Sequence, residues 1–471
     1  MSARVMGAAL AALFAAAATA EVRFQRTPEQ VDRASFLTDA FAVTAGGEQR
    51  DVRACVVGGA PSAYLELEAN EPVAFTVKPK TPGAGAKILP SARAVPVTAG
   101  ADGTLSFTLP YEGAFVLAFD DGRTLQIFYD RIENYEEAAI AAKYSFGPGV
   151  HDVGTIYPRE NESVYVDRDA VVYGSIQVRG AGSVQVFGHG VIDSTRLPEW
   201  LGSGEDPRQP RPFAAFRANG SSLRDVLLIG SHQAVVAMYD CNDFELAGCK
   251  VLSARPGGDA VDVVCSNNGS IRTTYLRAPG CAVSLRGTLS MRNRHCSNNK
   301  VSGCFLWSDG GRALAVGPET WSGWMDSTLF DDCDIICRTA SALDVCHGGN
   351  GSLRTVTAND LRVEFTRQRD DAQCHLVRCT NLVRPMRPGW EWDWKDGWNL
   401  GRIDAFTVRS LHLRTPEGVK LPDVEISAHT NSGGFGQITL RDFTLNGNRV
   451  NPLEAFNAVT NGPCTKRLRV R

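Results

Sequence analysis

Past its first twenty residues, this 471-residue chain has no apolar run of ~18 residues, so no later segment is long enough for a membrane-spanning helix. It lacks a basic excess: 49 Lys+Arg stand against 52 Asp+Glu, a formal net charge of −3, which excludes the usual footprint of a nucleic-acid binder. Zinc-type cysteine spacing is missing too. The nearest pairs, Cys333/Cys337 and Cys374/Cys379, have no matching partners, and neither a metal nor another cofactor is expected. No phosphate-binding loop and no Ser-His-Asp arrangement occurs. A Leu-x-x-Leu-x-Leu frame and sustained 3.6-residue periodicity are both absent, which excludes leucine-rich and helical repeats. What remains is 43% hydrophobic and 21% charged, enough for a large core and too apolar for disorder.

Met1 to Ala20 reads as an export signal: Arg4 in a short leader, an apolar run from Val5 to Ala17, then Ala18-Thr19-Ala20 with small residues at 18 and 20. Cleavage is expected before Glu21, giving a secreted or periplasmic protein with no membrane segment. Export permits disulfides among the 13 cysteines, an odd number, but most of them fall at repeat positions that suit a small buried hydrophobe.

Residues 21–130 show short alternating strands broken by Pro and Gly, such as Thr104-Leu-Ser-Phe-Thr-Leu109 and Ala114-Phe-Val-Leu-Ala-Phe119. This pattern predicts a small antiparallel β-sandwich. A connector follows over 131–146, with a short helix expected within 131–143. From 147 to 471 the chain repeats itself. Segments ending at Val226, Cys249, Thr274, Cys304, Cys333 and Asn359 recur at intervals of roughly 22–31 residues, with second strands such as Ala260-Val-Asp-Val263 and Ala342-Leu-Asp-Val345 between them. Two short strands per repeat, without the other repeat signatures, predict an all-β chain: a β-sandwich followed by a right-handed parallel β-helix with coils ~4.8 Å apart.

Phe146-Gly-Pro-Gly-Val-His151, Val164 to Ile176 and Val186-Phe-Gly-His-Gly-Val-Ile-Asp193 resemble the first coils of secreted β-helix glycoside hydrolases. These are the polygalacturonase-like family 28 and the dextranase/isopullulanase family 49, and family 49 also places a β-sandwich first. Phe305 to Thr320 and Cys333-Asp-Ile-Ile336 look like a bacterial subgroup of family-28-like proteins. The resemblance covers roughly 146–450 and implies a pectin-lyase-like solenoid with a polysaccharide or oligosaccharide as partner. Polygalacturonases carry Asn-Thr-Asp, Asp-Asp, Gly-His-Gly and Arg-Ile-Lys on successive coils, for an inverting mechanism with carboxyls roughly 6.5–9.5 Å apart. Here Gly257-Gly258-Asp259 keeps the first Asp. Pro279-Gly280-Cys281 stands where Asp-Asp is expected, Gly311-Arg312-Ala313 replaces Gly-His-Gly, and Asp344-Val345-Cys346 replaces Arg-Ile-Lys.

The catalytic candidates that remain are Asp259, Asp262, Asp309 and Asp344. Asp259 and Asp309 are taken as the acid/base pair, two coils or roughly 10 Å apart along the stack, and Asp309 with Asp344 as the alternative. Arg286, Arg312 and Glu319 are expected at the substrate, with His347 in reach of the cleft. Trp307, Trp321 and Trp324 offer aromatic faces for sugar rings, as does the later group Trp390, Trp392, Trp394 and Trp398. Each acid also fits a plain strand or turn position. The leading function is glycoside hydrolysis. The rivals are a carbohydrate-binding protein that has lost the Asp-Asp pair and a polysaccharide lyase using Arg286 or Arg312 as base.

Overall fold

The computed structural model describes residues 21–82, 85–198, 208–230, 232–291, 293–321, 323–338, 341–366, 374–381, 401–428, 434–460 and 467–471. The expected signal segment, the tryptophans from 390 to 398 and Cys464 lie outside them.

Two small sheets come first. One runs Glu48–Arg50, Phe41–Ala45, Val73–Pro79, Leu105–Leu109 and Thr98–Ala99 in spatial order. Its strands alternate buried and exposed residues, as strands with one wet face must. The other orders Val22–Phe24, Ala60–Ala69, Thr124–Asp130, Gly113–Phe119 and Ala86–Leu89, with Arg53–Val57 also paired to Ala60–Ala69. In this sheet Leu65, Leu117 and Ile127 fill the sandwich core. Tyr64, Val116 and Phe128 on its other face pack against Tyr275, Phe305 and Trp307 of the following domain. Burial on both faces lets apolar residues stand at both alternating positions, as in Gly113–Phe119. A six-residue helix, Glu136–Ala141, lies in the connecting stretch.

From Tyr144 on, the described residues form one sheet system of 31 strands, paired in parallel except for one hairpin, Phe435–Leu445 with Asn448–Val450. This is a right-handed parallel β-helix. One of its ladders positions the candidate site: Asp259–Val264, Val283–Gly287, Arg312–Thr320, Ser341–His347, His375–Asn381 and Asp423–Ala428. Inward residues stack coil on coil, Val261, Val283, Leu314, Leu343, Val377 and Val424 in one column. The turns are held by a side-chain ladder: Asn242 donates to Asn219 (3.0 Å), Asn267 to Asn242 (3.1 Å) and Ser297 to Asn267 (2.7 Å). The twelve described cysteines are free thiols, and all but the half-buried Cys55 are buried, in keeping with their reading as interior hydrophobes.

Candidate active site

The outward register of this ladder carries the charge. Asp262, Ser284, Ala315, Asp344, Arg378 and Glu425 occupy one position on six successive coils. Asp259 heads its strand, half-buried, and Arg312 heads the strand two coils on, also half-buried. Glycine makes room between them. A Cβ on Gly280 would lie 2.4 Å from Asp259 Oδ1 and 2.8 Å and 2.9 Å from the carbonyl oxygens of Gly257 and Gly258. With no side chain there, the Cys281 N–H donates to Asp259 Oδ1 at 2.5 Å. Gly280 therefore stands at the missing Asp-Asp position as the cover of Asp259.

The two acids of this strand have opposite environments. Burial, followed by the negative charge of Asp262, pushes the Asp259 carboxyl up to about 6 against the opposing pull of the Cys281 N–H, Arg312 and Arg286. Asp262 is 3% exposed and gripped in a fork by Arg286, whose Nε donates to Oδ1 at 2.9 Å and Nη2 to Oδ2 at 2.7 Å. Burial works against the Arg286 charge, but Asp262, and Glu319 at 4.0 Å, outweigh it and hold the guanidinium well above its ordinary value.

Further down the column, Asp344 is 2% exposed and 3.5 Å from Arg378. Burial raises its pKa, partly offset by Arg312, Arg378 and His375. Arg378 also reaches Glu425 at 3.2 Å, and His375 Nε2 stands 3.1 Å from the same carboxylate, which is pulled down to about 2, chiefly by the His375 hydrogen bond.

The structure thus brings Asp259, Asp262, Arg286, Arg312, Glu319 and Asp344 onto one face and sets the other candidates apart. Asp309 does not face Asp259. It follows Phe305–Ser308, a strand of the sheet under the sandwich, where it accepts from Trp307 Nε1 (3.0 Å) with Arg277 and Arg338 at 3.7 and 3.9 Å. Arg277 is itself tied to the sandwich through Thr124 (3.0 Å). That places Asp309 against the sandwich seam, outside the register that carries Asp262 and Asp344, which removes the geometric ground for pairing it with Asp259 or with Asp344.

Trp307 is 3% exposed in the same seam and Trp321 is 5% exposed, so neither offers a ring face to a sugar. The Trp324 indole carries the His295 imidazole stacked at 3.3 Å, with the Arg354 guanidinium 4.4 Å from its centroid. Protein side chains therefore crowd the half-buried indole. His347 is fully buried, 3.3 Å from Thr320 Oγ1 through Nδ1 and 2.5 Å from the Gly351 carbonyl through Nε2. Burial lowers its pKa to about 4, and it braces a turn rather than lining a cleft.

Sequence reasoning missed Arg378, His375 and Glu425. Carrying the Asp262–Asp344 register two strands further would have found Arg378 and Glu425, and His375 heads the strand that carries Arg378. Among the described residues no three His, Cys, Asp or Glu side chains converge as a metal site would require.

No family model matches the chain, and no curated protein matches it in sequence. Its fold is that of solved β-helix structures. Dex49A from Penicillium minioluteum superposes with a TM-score of 0.61 at 12% identity, over 95% of this chain and 96% of that one. The Family 28 exopolygalacturonase of Yersinia enterocolitica gives 0.46 at 11% identity, over 89% and 97%. The polygalacturonase of Erwinia carotovora gives 0.47 at 14%, over 68% and 86%. The likeness to Dex49A spans sandwich and solenoid together and shows the architecture.

Proposed function

We propose that this is an exported glycoside hydrolase acting on a neutral polysaccharide, with Asp259 as proton donor and Asp262 as the paired base. The observation that carries the reading is the contrast between two carboxyls on one strand: burial and the neighbouring charge push the Asp259 carboxyl up to about 6, while Asp262 is held in the Arg286 fork. A raised carboxyl beside an arginine-held one suits an acid and a base role. The Asp262 charge acts on the Asp259 carboxyl, so the two groups are near enough to work as a pair.

Asp259 protonates the leaving glycosidic oxygen. Asp262, with a second lone pair free on each oxygen beyond those taken by Arg286, draws the proton from the attacking water. Arg312, half-exposed beside Asp259, is the cation available to substrate hydroxyls. A neutral substrate is favoured because Arg286 and Arg378 are held by carboxylates, which leaves Arg312 alone of these three to meet an acidic sugar. The whole-length fold likeness to Dex49A accords with this reading.

One observation favours a second reading, glycan binding without turnover: Asp262 and Asp344 are both sealed in arginine pairs. The two separate in a screen of the protein from Glu21 onward against dextran, pullulan, arabinan, pectin and sulfated glycans. New reducing ends on a neutral polymer support hydrolysis. Retention without release supports binding alone, and absorbance from unsaturated uronates would replace both with a lyase. Recovery of the chain cut before Glu21 from periplasm or medium tests export.

A further inference from the structure

Away from this face, where the sandwich meets the solenoid, lies a cavity of about 490 Å³. The sandwich contributes Tyr129 and Asp130, and the solenoid contributes His189, Lys250, Tyr275 and Phe305 from successive coils. Gly248 and Gly303, at left-handed turns (φ +63° and +62°), also line it.

Three features define what fits. The first is balanced charge: the lining acids Glu112, Asp130, Glu133 and Asp225 face Arg93, Arg131, Lys250 and His189, which favours a neutral guest over an anion or cation. The second is size: about 490 Å³ falls within the range of small-molecule sites. The third is unused donor capacity deep in the cavity. Lys250 Nζ donates to Asp130 Oδ2 (2.5 Å) and to the Asp225 carbonyl (3.2 Å), two of its three protons among the described residues. His189 is 7% exposed, and its Nε2 has no hydrogen-bond partner among the described residues. Burial opposes a charge on this ring, but Asp130, 3.4 Å from Nδ1, outweighs it and raises the pKa, so that Nε2 carries a proton to give. A buried donor without an acceptor is costly in an empty pocket and is satisfied by a guest hydroxyl.

We infer that the junction between sandwich and solenoid is a second carbohydrate site, which holds one or two residues of a neutral glycan through His189 and Lys250. Its choice of ligand rests on the glycan-active reading above, but its residues are separate from Asp259 and its neighbours. Chains held at both places would stay on the enzyme between cleavages, raising effective concentration at the catalytic face.

The test uses full-length Asp259→Asn protein, so that turnover cannot deplete the probe. Hydrogen exchange is followed with gluco-, galacto-, manno- and xylo-tetrasaccharides, and with inorganic phosphate as the anionic control. At least one neutral tetrasaccharide is expected to protect 129–131, 248–250 and 303–305, and His189→Ala to weaken that binding tenfold or more. In a wild-type background, His189→Ala should leave kcat on a short chromogenic glycoside unchanged. No protection at the junction by any of the four, or protection by phosphate alone, overturns the inference. If His189→Ala does not fold, the exchange data on the parent decide. Junction protection in a protein without hydrolytic activity would sink the catalytic reading and leave this one standing.

Discussion

Asp259 concentrates the chemistry of the site into one side chain, because a carboxyl raised to about 6 changes both activity and stability with pH. Its folded pKa lies above its unfolded value of ~3.9, so its contribution favours the fold most below that value and is lost as pH rises through about 6. Asp259→Asn, which cannot ionise, is therefore expected to raise the thermal midpoint at pH 8 and to leave it unchanged at pH 3.5. The gain is at most about 2–3 kcal/mol. The neighbouring pair behaves in the opposite sense. Arg286→Met strands the Asp262 charge in a buried site and should cost about 3–5 kcal/mol, much of it recovered in the Asp262→Asn/Arg286→Met double variant, as denaturant melts will read. At this scale the sequence was informative where a residue's role depends on its own strand, as for Asp259 and Asp262. It misled where the role depends on what lies on top: nothing within Trp307-Ser308-Asp309 says that the sandwich covers it.

The strands explain the tolerance of the site. Each coil places residues by register alone, so the alternation in Ala260-Val-Asp-Val263 and Ala342-Leu-Asp-Val345 was enough to read the ladder and to put Asp262 and Asp344 in one column. The turns between strands are set by backbone contact instead. Gly258, Gly280 and Gly311 stack so closely that a Cβ on Gly311 would meet Gly280 backbone atoms at 2.4 Å. Gly280→Ala is expected to cost about 1–3 kcal/mol through overpacking and to displace Asp259, lowering activity at every pH rather than shifting the profile. A change confined to the apparent pKa would contradict that placement. The turn glycines were legible as turns, but their tight stacking was not, because it depends on which coil lies against which.

At the level of the whole molecule, the sandwich is fastened to the solenoid by buried charge as well as by its aromatic seam. Lys250 is held by Asp130 across the junction, and Glu66 is buried behind them with no hydrogen-bond partner on either oxygen among the described residues. Burial, opposed by Lys250 and Arg53, raises the Glu66 carboxyl to about 7. From pH ~4.3 to about 7 the unfolded chain releases this proton while the folded one keeps it, so stability should fall as pH rises through that window and then level off. Glu66→Gln should flatten this dependence, by on the order of 3–4 kcal/mol across the window. The two architectures were readable from strand patterns and repeats. Their joint was not, since Glu66, Asp130, His189 and Lys250 are far apart in the chain and only the packed seam brings them together.

The most direct measurement is the pH profile of reducing-end release from the most responsive neutral polysaccharide, for wild type and Asp259→Asn. The wild-type rate should fall above about pH 6, and the variant should be slower by about 10²–10⁴-fold. A variant as fast as wild type, or a wild type that binds the polymer and releases nothing, would contradict the assignment of Asp259 as the acid.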